Sequence, residues 1–210
     1  MPAKRLYCAA AVLLMTSAAP ATAQRNELSA IVGRTFISDQ GVKGVPSFDT
    51  NLRFGNGLSF EANLARRLKG GEGIAALTVE IPVVYNPDED IHYSVNVVPK
   101  QYSSIFITPS LRANLLPEAP FSPWLSLGGG YGHFSENSKL EFFGANNPGK
   151  TGTSTGVFQF GGGLDVRLCR WLGVRAQVRD FYSGIPHLNV DTGRSRQHNY
   201  LVGGGIVWHF

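Results

Sequence analysis

Four groups of residues in this 210-residue chain could do chemistry. Gly144 to Thr151 reads GANNPGKT, a letter-for-letter match to G-x-x-x-x-G-K-[ST], the loop that cradles phosphates with backbone amides and a lysine. His133 and Ser135 stand two residues apart, so in extended chain an imidazole and a hydroxyl share one face, as a base and its nucleophile must. His187, Asp191 and His198 crowd one stretch and carry metal-ligating atoms. Glu61, Glu80, Arg112, Asp165, Arg167, Arg175 and Arg179 each fall among small or polar neighbours on one parity of an alternating segment.

Context removes two of these. A phosphate loop must leave a buried strand and open a helix, but here GTSTGVFQFGGG follows, which reads as a strand. The match is therefore expected to be a glycine- and asparagine-rich surface turn. The spacing of His187, Asp191 and His198 fits no standard metal site, and solvated loop residues are expected there. No metal and no cofactor are predicted.

The elements that must position the rest are strands. Alternation of apolar and polar residues recurs in eight segments, 27–36, 57–67, 74–85, 102–115, 123–134, 156–168, 172–183 and 199–210, and a helical period does not. Leu52 and Phe54 keep the phase of Leu58 and Phe60, so the second segment could start earlier. One parity is apolar, as in Leu77, Val79, Ile81, Val83 and Tyr85; the other holds Thr78, Glu80, Arg112, Asn114, Gln159 and Gln177. Glycine triplets at 128–130, 161–163 and 203–205 leave room for interior side chains to cross a narrow lumen. The connections alternate long and short: 37–56, 68–73, 86–101, 116–122, 135–155, 169–171 and 184–198. That segregation is the pattern of a membrane-spanning β-barrel with short turns at one end and long loops at the other.

The first 23 residues are read apart from the fold. Lys4 and Arg5 precede an apolar run ending at Met15, and Ala21-Thr22-Ala23 supplies the small-residue cleavage pattern of a secretory signal peptide. Residues 24–210 form the predicted barrel domain. Removing the leader takes two of the 19 basic residues and none of the 15 acidic ones, so the mature chain is near neutral and a nucleic-acid partner is not expected. Cys169 is then the one remaining cysteine, which excludes an internal disulfide.

The last strand, HNYLVGGGIVWHF, places Tyr200, Val202, Ile206, Trp208 and Phe210 on one parity. It resembles the carboxy-terminal signature of bacterial outer-membrane β-barrels, and the whole mature chain is similar to the small eight-stranded family that includes outer-membrane proteins A and X. The resemblance implies an all-β, eight-stranded antiparallel transmembrane barrel with up-and-down meander topology, in the cell outer membrane. It implies that Tyr200, Ile206, Trp208 and Phe210 form the assembly signal, read by the outer-membrane assembly machinery before the strand closes on the first. The expected surroundings are outer-membrane lipids, including lipopolysaccharide, around a monomer. Two aromatic girdles are expected, with Trp124, Trp171 and Trp208 at the short-turn end and Tyr85, Tyr102, Phe134, Phe181, Tyr182 and Tyr200 at the other. Pro82 and Pro109 interrupt strands, so a bulge or irregularity is expected. Arg34 falls on the apolar parity and is tolerable near the outer interface.

The expected function is non-catalytic: a structural, envelope-integrity or surface-interaction role for a closed barrel with a salt-bridged lumen and long extracellular loops. Two alternatives stay open. His133-Phe134-Ser135 resembles the H-x-S element of lipid A 3-O-deacylases, which implies an esterase using His133 and Ser135. That element belongs in a later strand, and Glu136 replaces the following asparagine. The inward charges could also line a narrow gated pore.

Overall fold

The computed structural model describes residues 25–44, 51–69, 73–140 and 144–210. The proposed leader lies outside them. Eleven strands form one antiparallel sheet: β1 Asn26–Ile37, β2 Gln40–Gly41, β3 Asn51–Phe54, β4 Leu58–Lys69, β5 Ala75–His92, β6 Gln101–Ile107, β7 Ser110–Leu115, β8 Phe121–Glu136, β9 Gly152–Arg167, β10 Leu172–Gly184 and β11 Arg196–His209. β6 and β7 are two halves of one barrel strand. Going round, the eight barrel strands are β1, β4, β5, β6 with β7, β8, β9, β10 and β11, each paired with its chain neighbour. β11 returns to β1 in continuous register from Glu27↔His209 to Ile37↔Asn199, which closes the ring. Closure leaves no barrel edge unpaired, as a chain in hydrocarbon requires.

Alternation sorts the side chains. Leu28, Val32, Leu77, Ile81, Leu111, Leu125, Leu127, Val174, Val202 and Ile206 are exposed on the outside, whereas Ser29, Glu61, Asn63, Thr78, Arg112, Gln159 and Gln177 are buried inside. This inverts a soluble barrel: lipid, not water, is the solvent that such a surface matches.

Each proline faces a residue of the neighbouring strand. Thr108 donates its amide to Pro82 O at 3.2 Å, and Gly129 donates to Pro109 O at 3.2 Å. Neither proline can return the second bond of its pair, so the ladder lapses between β6 and β7. No bulge forms, because Ile107↔Val83 and Glu80↔Ser110 keep one register across the gap. Register shifts lie elsewhere, between Arg67 and Lys69 and between Asn86 and Glu89.

The long-loop end differs most from the pattern in the sequence. β5 runs to His92 instead of ending at Tyr85, and it pairs there with β3. Leu52 and Phe54 do not continue the phase of β4. They are buried while Leu58 and Phe60 are exposed, because the in–out alternation slips by one residue over 55–57, which join no strand, although β3 and β4 both keep one register on β5. Loop residues Val42, Leu52, Phe54, Tyr93, Val98 and Leu188 pack with Val84, Phe106, Phe134, Phe181 and Leu201 into an apolar cap over the barrel mouth.

Candidate functional site

The lower lumen is an ionic network. Arg179 Nη1 lies 2.8 Å from Glu80 Oε1, and its Nε lies 3.4 Å from Glu61 Oε1. Arg112 reaches Glu80 Oε2 at 3.3 Å and also pairs with Glu27. Arg175 grips Asp165 with two hydrogen bonds, Nε to Oδ1 at 2.6 Å and Nη2 to Oδ2 at 2.7 Å, and its Nη2 lies 3.3 Å from Glu27 Oε2. Neutral groups take up further lone pairs: Gln177 donates to Glu61, while Asn63 and Ser110 donate to Glu80. The side chains of Glu61, Glu80, Arg112 and Arg179 are wholly buried. Charges so placed persist only when paired and hydrogen-bonded.

Six of the seven residues singled out in the sequence therefore meet in one cluster. Arg167 does not. It turns to the short-turn rim, where Nη1 lies 3.3 Å from Glu118 Oε2 and Nη2 donates to Pro117 O at 2.8 Å. Glu27 joins the cluster instead, pairing with Arg112 and Arg175. The signal was available, since Glu27 shares inward parity with Ser29 in the first strand, but it sits at that strand's start.

Trp124 corrects the girdle expectation. It is buried, not at the membrane interface, and Arg112, Arg175 and Arg179 lie 5.7, 5.2 and 5.0 Å from its ring centroid. Its Nε1 donates to Asp165 Oδ1 at 3.0 Å. The indole satisfies both demands of the lumen, a π face for cations and one polar tip for a carboxylate. Gly163 makes room, since a Cβ there would come within 2.6 Å of the Trp124 ring. Trp171 and Trp208 are exposed, on the outside.

Above the ions, the lumen becomes aromatic. Tyr102, Phe134 and Phe181, expected in the outer girdle, point inward instead. Phe106 stacks on Phe181 at 5.2 Å and meets Phe134 edge-on at 5.7 Å; Tyr102 meets Phe134 at 5.6 Å and Phe54 at 6.5 Å. Tyr85 and Tyr200 do face outward. Higher still, beyond Tyr85 and outside the membrane-spanning part of β5, Glu89 is buried and accepts the Gly57 amide at 3.2 Å. Burial pushes its carboxyl up to about 8, with Asp90 and Asp88 adding to the shift against the pull of that amide.

The other candidates find different partners. His133 Nδ1 lies 3.0 Å from Ser154 Oγ on β9, and Tyr131 OH lies 2.8 Å from the same hydroxyl. Ser135 is two residues further up, in register with Gly152. His198 Nδ1 lies 2.5 Å from Asp180 Oδ2, with Tyr182 and Tyr200 on either side at 4.7 and 5.5 Å. His187 and Asp191 do not join it: the His187 amide donates to Glu136, and Asp191 Oδ1 accepts from the Gly193 amide. Among the described residues no group of three His, Cys, Asp or Glu is placed to hold a metal. In the phosphate-loop match, Gly144 takes a left-handed φ of 63°, Leu140 donates to Ala145 O, and Gly149 N donates to Asn147 Oδ1. The segment then enters β9, and no helix receives it.

No family model matches the sequence, and no curated protein matches it. Solved structures do. The outer membrane protein OprG of Pseudomonas aeruginosa superposes with a TM-score of 0.53 at 11% identity, covering 90% of this chain and 96% of that one. This is the fold of the small eight-stranded outer-membrane barrels. The N-terminal β-barrel domain of Pseudomonas aeruginosa OprF (TM-score 0.49, 11% identity, 90% and 100% covered) and Neisserial surface protein A (0.47, 12%, 88% and 97%) are also similar. The outer-membrane barrel fold supports an outer-membrane location.

In this outer-membrane barrel the last strand has a visible structural job. Asn26 and Phe210 exchange both backbone hydrogen bonds, Asn26 N to Phe210 O at 3.0 Å and Phe210 N to Asn26 O at 2.9 Å. Tyr200, Ile206, Trp208 and Phe210 all lie exposed on the lipid face beside that seam.

Proposed function

We propose that the chain is exported by a cleaved leader of residues 1–23, is inserted by the outer-membrane assembly machinery reading Tyr200, Ile206, Trp208 and Phe210, and serves as a monomeric, non-catalytic scaffold. Its work is to hold a rigid extracellular crown in the envelope and present it to a surface or partner. The filled lumen carries this reading. Ions occupy its lower half, stacked aromatics its upper half, and loop side chains cover the mouth. Eight strands leave an interior that side chains can fill, and here they do. A plugged barrel spends its interior on rigidity, so interaction is left to the outside.

The engagement of the His133 imidazole by Ser154 weighs against an esterase built on His133 and Ser135. The test that discriminates against a pore is electrical. Refolded protein in a planar bilayer is expected to give no unitary conductance steps; a steady open channel from the unmodified chain would replace the scaffold with a pore.

A further inference from the structure

The excess positive charge of the described residues is gathered at one end of the barrel. Outside the buried network, the short-turn end carries the side chains of Arg25, Arg66, Arg67, Lys69, Arg167 and Arg170 against one described carboxylate, Glu118. The sequence places Glu72 in the same region, outside the described residues. The long loops mix both signs instead, with Asp88, Asp90 and Asp191 among Lys100, Lys139 and Arg194. Glu118 is divided between two partners, Oε1 at 3.0 Å from Arg67 Nη1 and Oε2 at 3.3 Å from Arg167 Nη1. Arg25, Arg66, Lys69 and Arg170 are exposed and, among the described residues, have no ion-pair partner.

Parity decides what these cations can meet. Arg67 donates its amide to Arg25 O at 2.7 Å, so the two are neighbours across the β1–β4 ladder. Both continue the inward parity, two residues beyond buried Glu27 and Ala65, and Arg167 continues that of Asp165. These three therefore stand around the mouth, on the side away from lipid headgroups, while Arg66 stands on the outward parity. Behind Arg67 and Arg167 the lumen leaves a recess of about 20 Å³, lined also by Asn114, Ser122 and His209. That is room for about one water, so a partner lies across the mouth and does not thread into it. Phe121, Trp171 and Phe210, the exposed aromatics of this end, belong to the outer wall. The mouth thus lacks the aromatic anchors on which interfaces between folded proteins turn.

We propose that this basic mouth docks an extended acidic peptide segment of a periplasmic partner. Its carboxylates pair with Arg25, Lys69 and Arg170, and one of them competes with Glu118 for Arg67 and Arg167. Glu118 itself demonstrates the match, since it is a carboxylate held by both guanidinium groups, whose paired donors suit that anion. A flexible polyanion needs a field of charge and no shaped pocket, which is what the mouth supplies. That this end faces the periplasm rests on the outer-membrane reading above, in which short turns lie on that side.

The test uses refolded chain in phosphatidylcholine nanodiscs, first checked for a boiled-versus-unboiled mobility shift, and a fluorescein-labelled hexaglutamate peptide followed by anisotropy. Saturable binding that fades with added salt is expected. Arg25→Gln, Lys69→Gln and Arg170→Gln together are expected to weaken it about tenfold, as the loss of three exposed ion pairs would. Lys100→Gln, Lys139→Gln and Arg194→Gln together are expected to leave it unchanged, and Glu118→Gln to tighten it by freeing Arg67 and Arg167. Absence of binding, or equal loss in the two triple variants, would overturn the proposal while leaving the barrel reading intact. So would tighter binding of peptidoglycan fragments than of the peptide, which would give the mouth to the cell wall. Native mass spectrometry showing phosphatidylglycerol retained by the unmodified chain and lost from the first triple variant would assign the cations to lipid headgroups and overturn it too. A chain whose mobility does not shift on boiling would instead remove the outer-membrane reading beneath it.

Discussion

Glu80 is the residue on which the lower lumen turns. It lies between Arg112 and Arg179 and accepts from Asn63 and Ser110 as well. Replacing it with Ala takes one carboxylate from each of two buried guanidinium groups and leaves Arg112 with Glu27 and Arg179 with Glu61; breaking a buried pair costs about 3–5 kcal/mol. The Glu80→Ala barrel is expected to lose its unboiled gel mobility at a clearly lower temperature, and an unchanged transition would show that the network contributes no stability. Glu89 makes a second prediction, on pH. Its folded carboxyl titrates near 8 against 4.5 in the unfolded chain, so the folded state binds the extra proton between those values. The associated stability is fully present below pH 4.5 and is lost as pH rises through 8. Protease resistance of the loop cap should therefore decline from pH 5 to pH 8, and Glu89→Gln should flatten that decline. Parity in the sequence placed Glu61, Glu80, Arg112, Asp165, Arg175 and Arg179 inside, because period-two alternation is a local property. Trp124, Tyr102, Phe134 and Phe181 were misplaced because their height along a strand was read without their parity.

At the scale of elements, the seam between β1 and β11 is where close approach matters most. A Cβ on Gly205 would lie 1.9 Å from Ala30 O, a backbone atom that cannot move without opening the seam. Gly204 faces outward, and its Cβ would meet nothing closer than Arg175 O at 3.3 Å. Gly205→Val is expected to abolish the heat-modifiable form in outer-membrane fractions while Gly204→Val retains it; equal assembly of the two would contradict the seam geometry. The barrel strands themselves were legible from alternation and from the long-short order of their connections. The extension of β5 to His92 and the pairing of β3 with it were not. Residues 86–92 carry Pro87, Asp88, Glu89 and Asp90, which read as loop, and only pairing with β3 on one side and β6 on the other holds them extended.

For the whole molecule, the arrangement is an inside-out protein with a plug. The apolar parity faces out, the ionic parity fills the lower lumen, and the cap closes the upper one. Class and topology could be read from one sequence because the bilayer imposes them on every strand alike. The cap could not, since Leu52, Phe54, Tyr93, Val98 and Leu188 come from separate loops whose meeting no local period announces. The most direct test of this inside-out placement is quenching by brominated lipid. Two variants, one keeping only Trp208 and one keeping only Trp124, are reconstituted in vesicles of brominated phosphatidylcholine. Trp208 is exposed on the lipid face and Trp124 is buried among three arginines. Strong quenching of Trp208 with Trp124 unaffected is the predicted result; quenching of Trp124 with Trp208 spared would contradict the placement of the two faces and with it the account of the lumen.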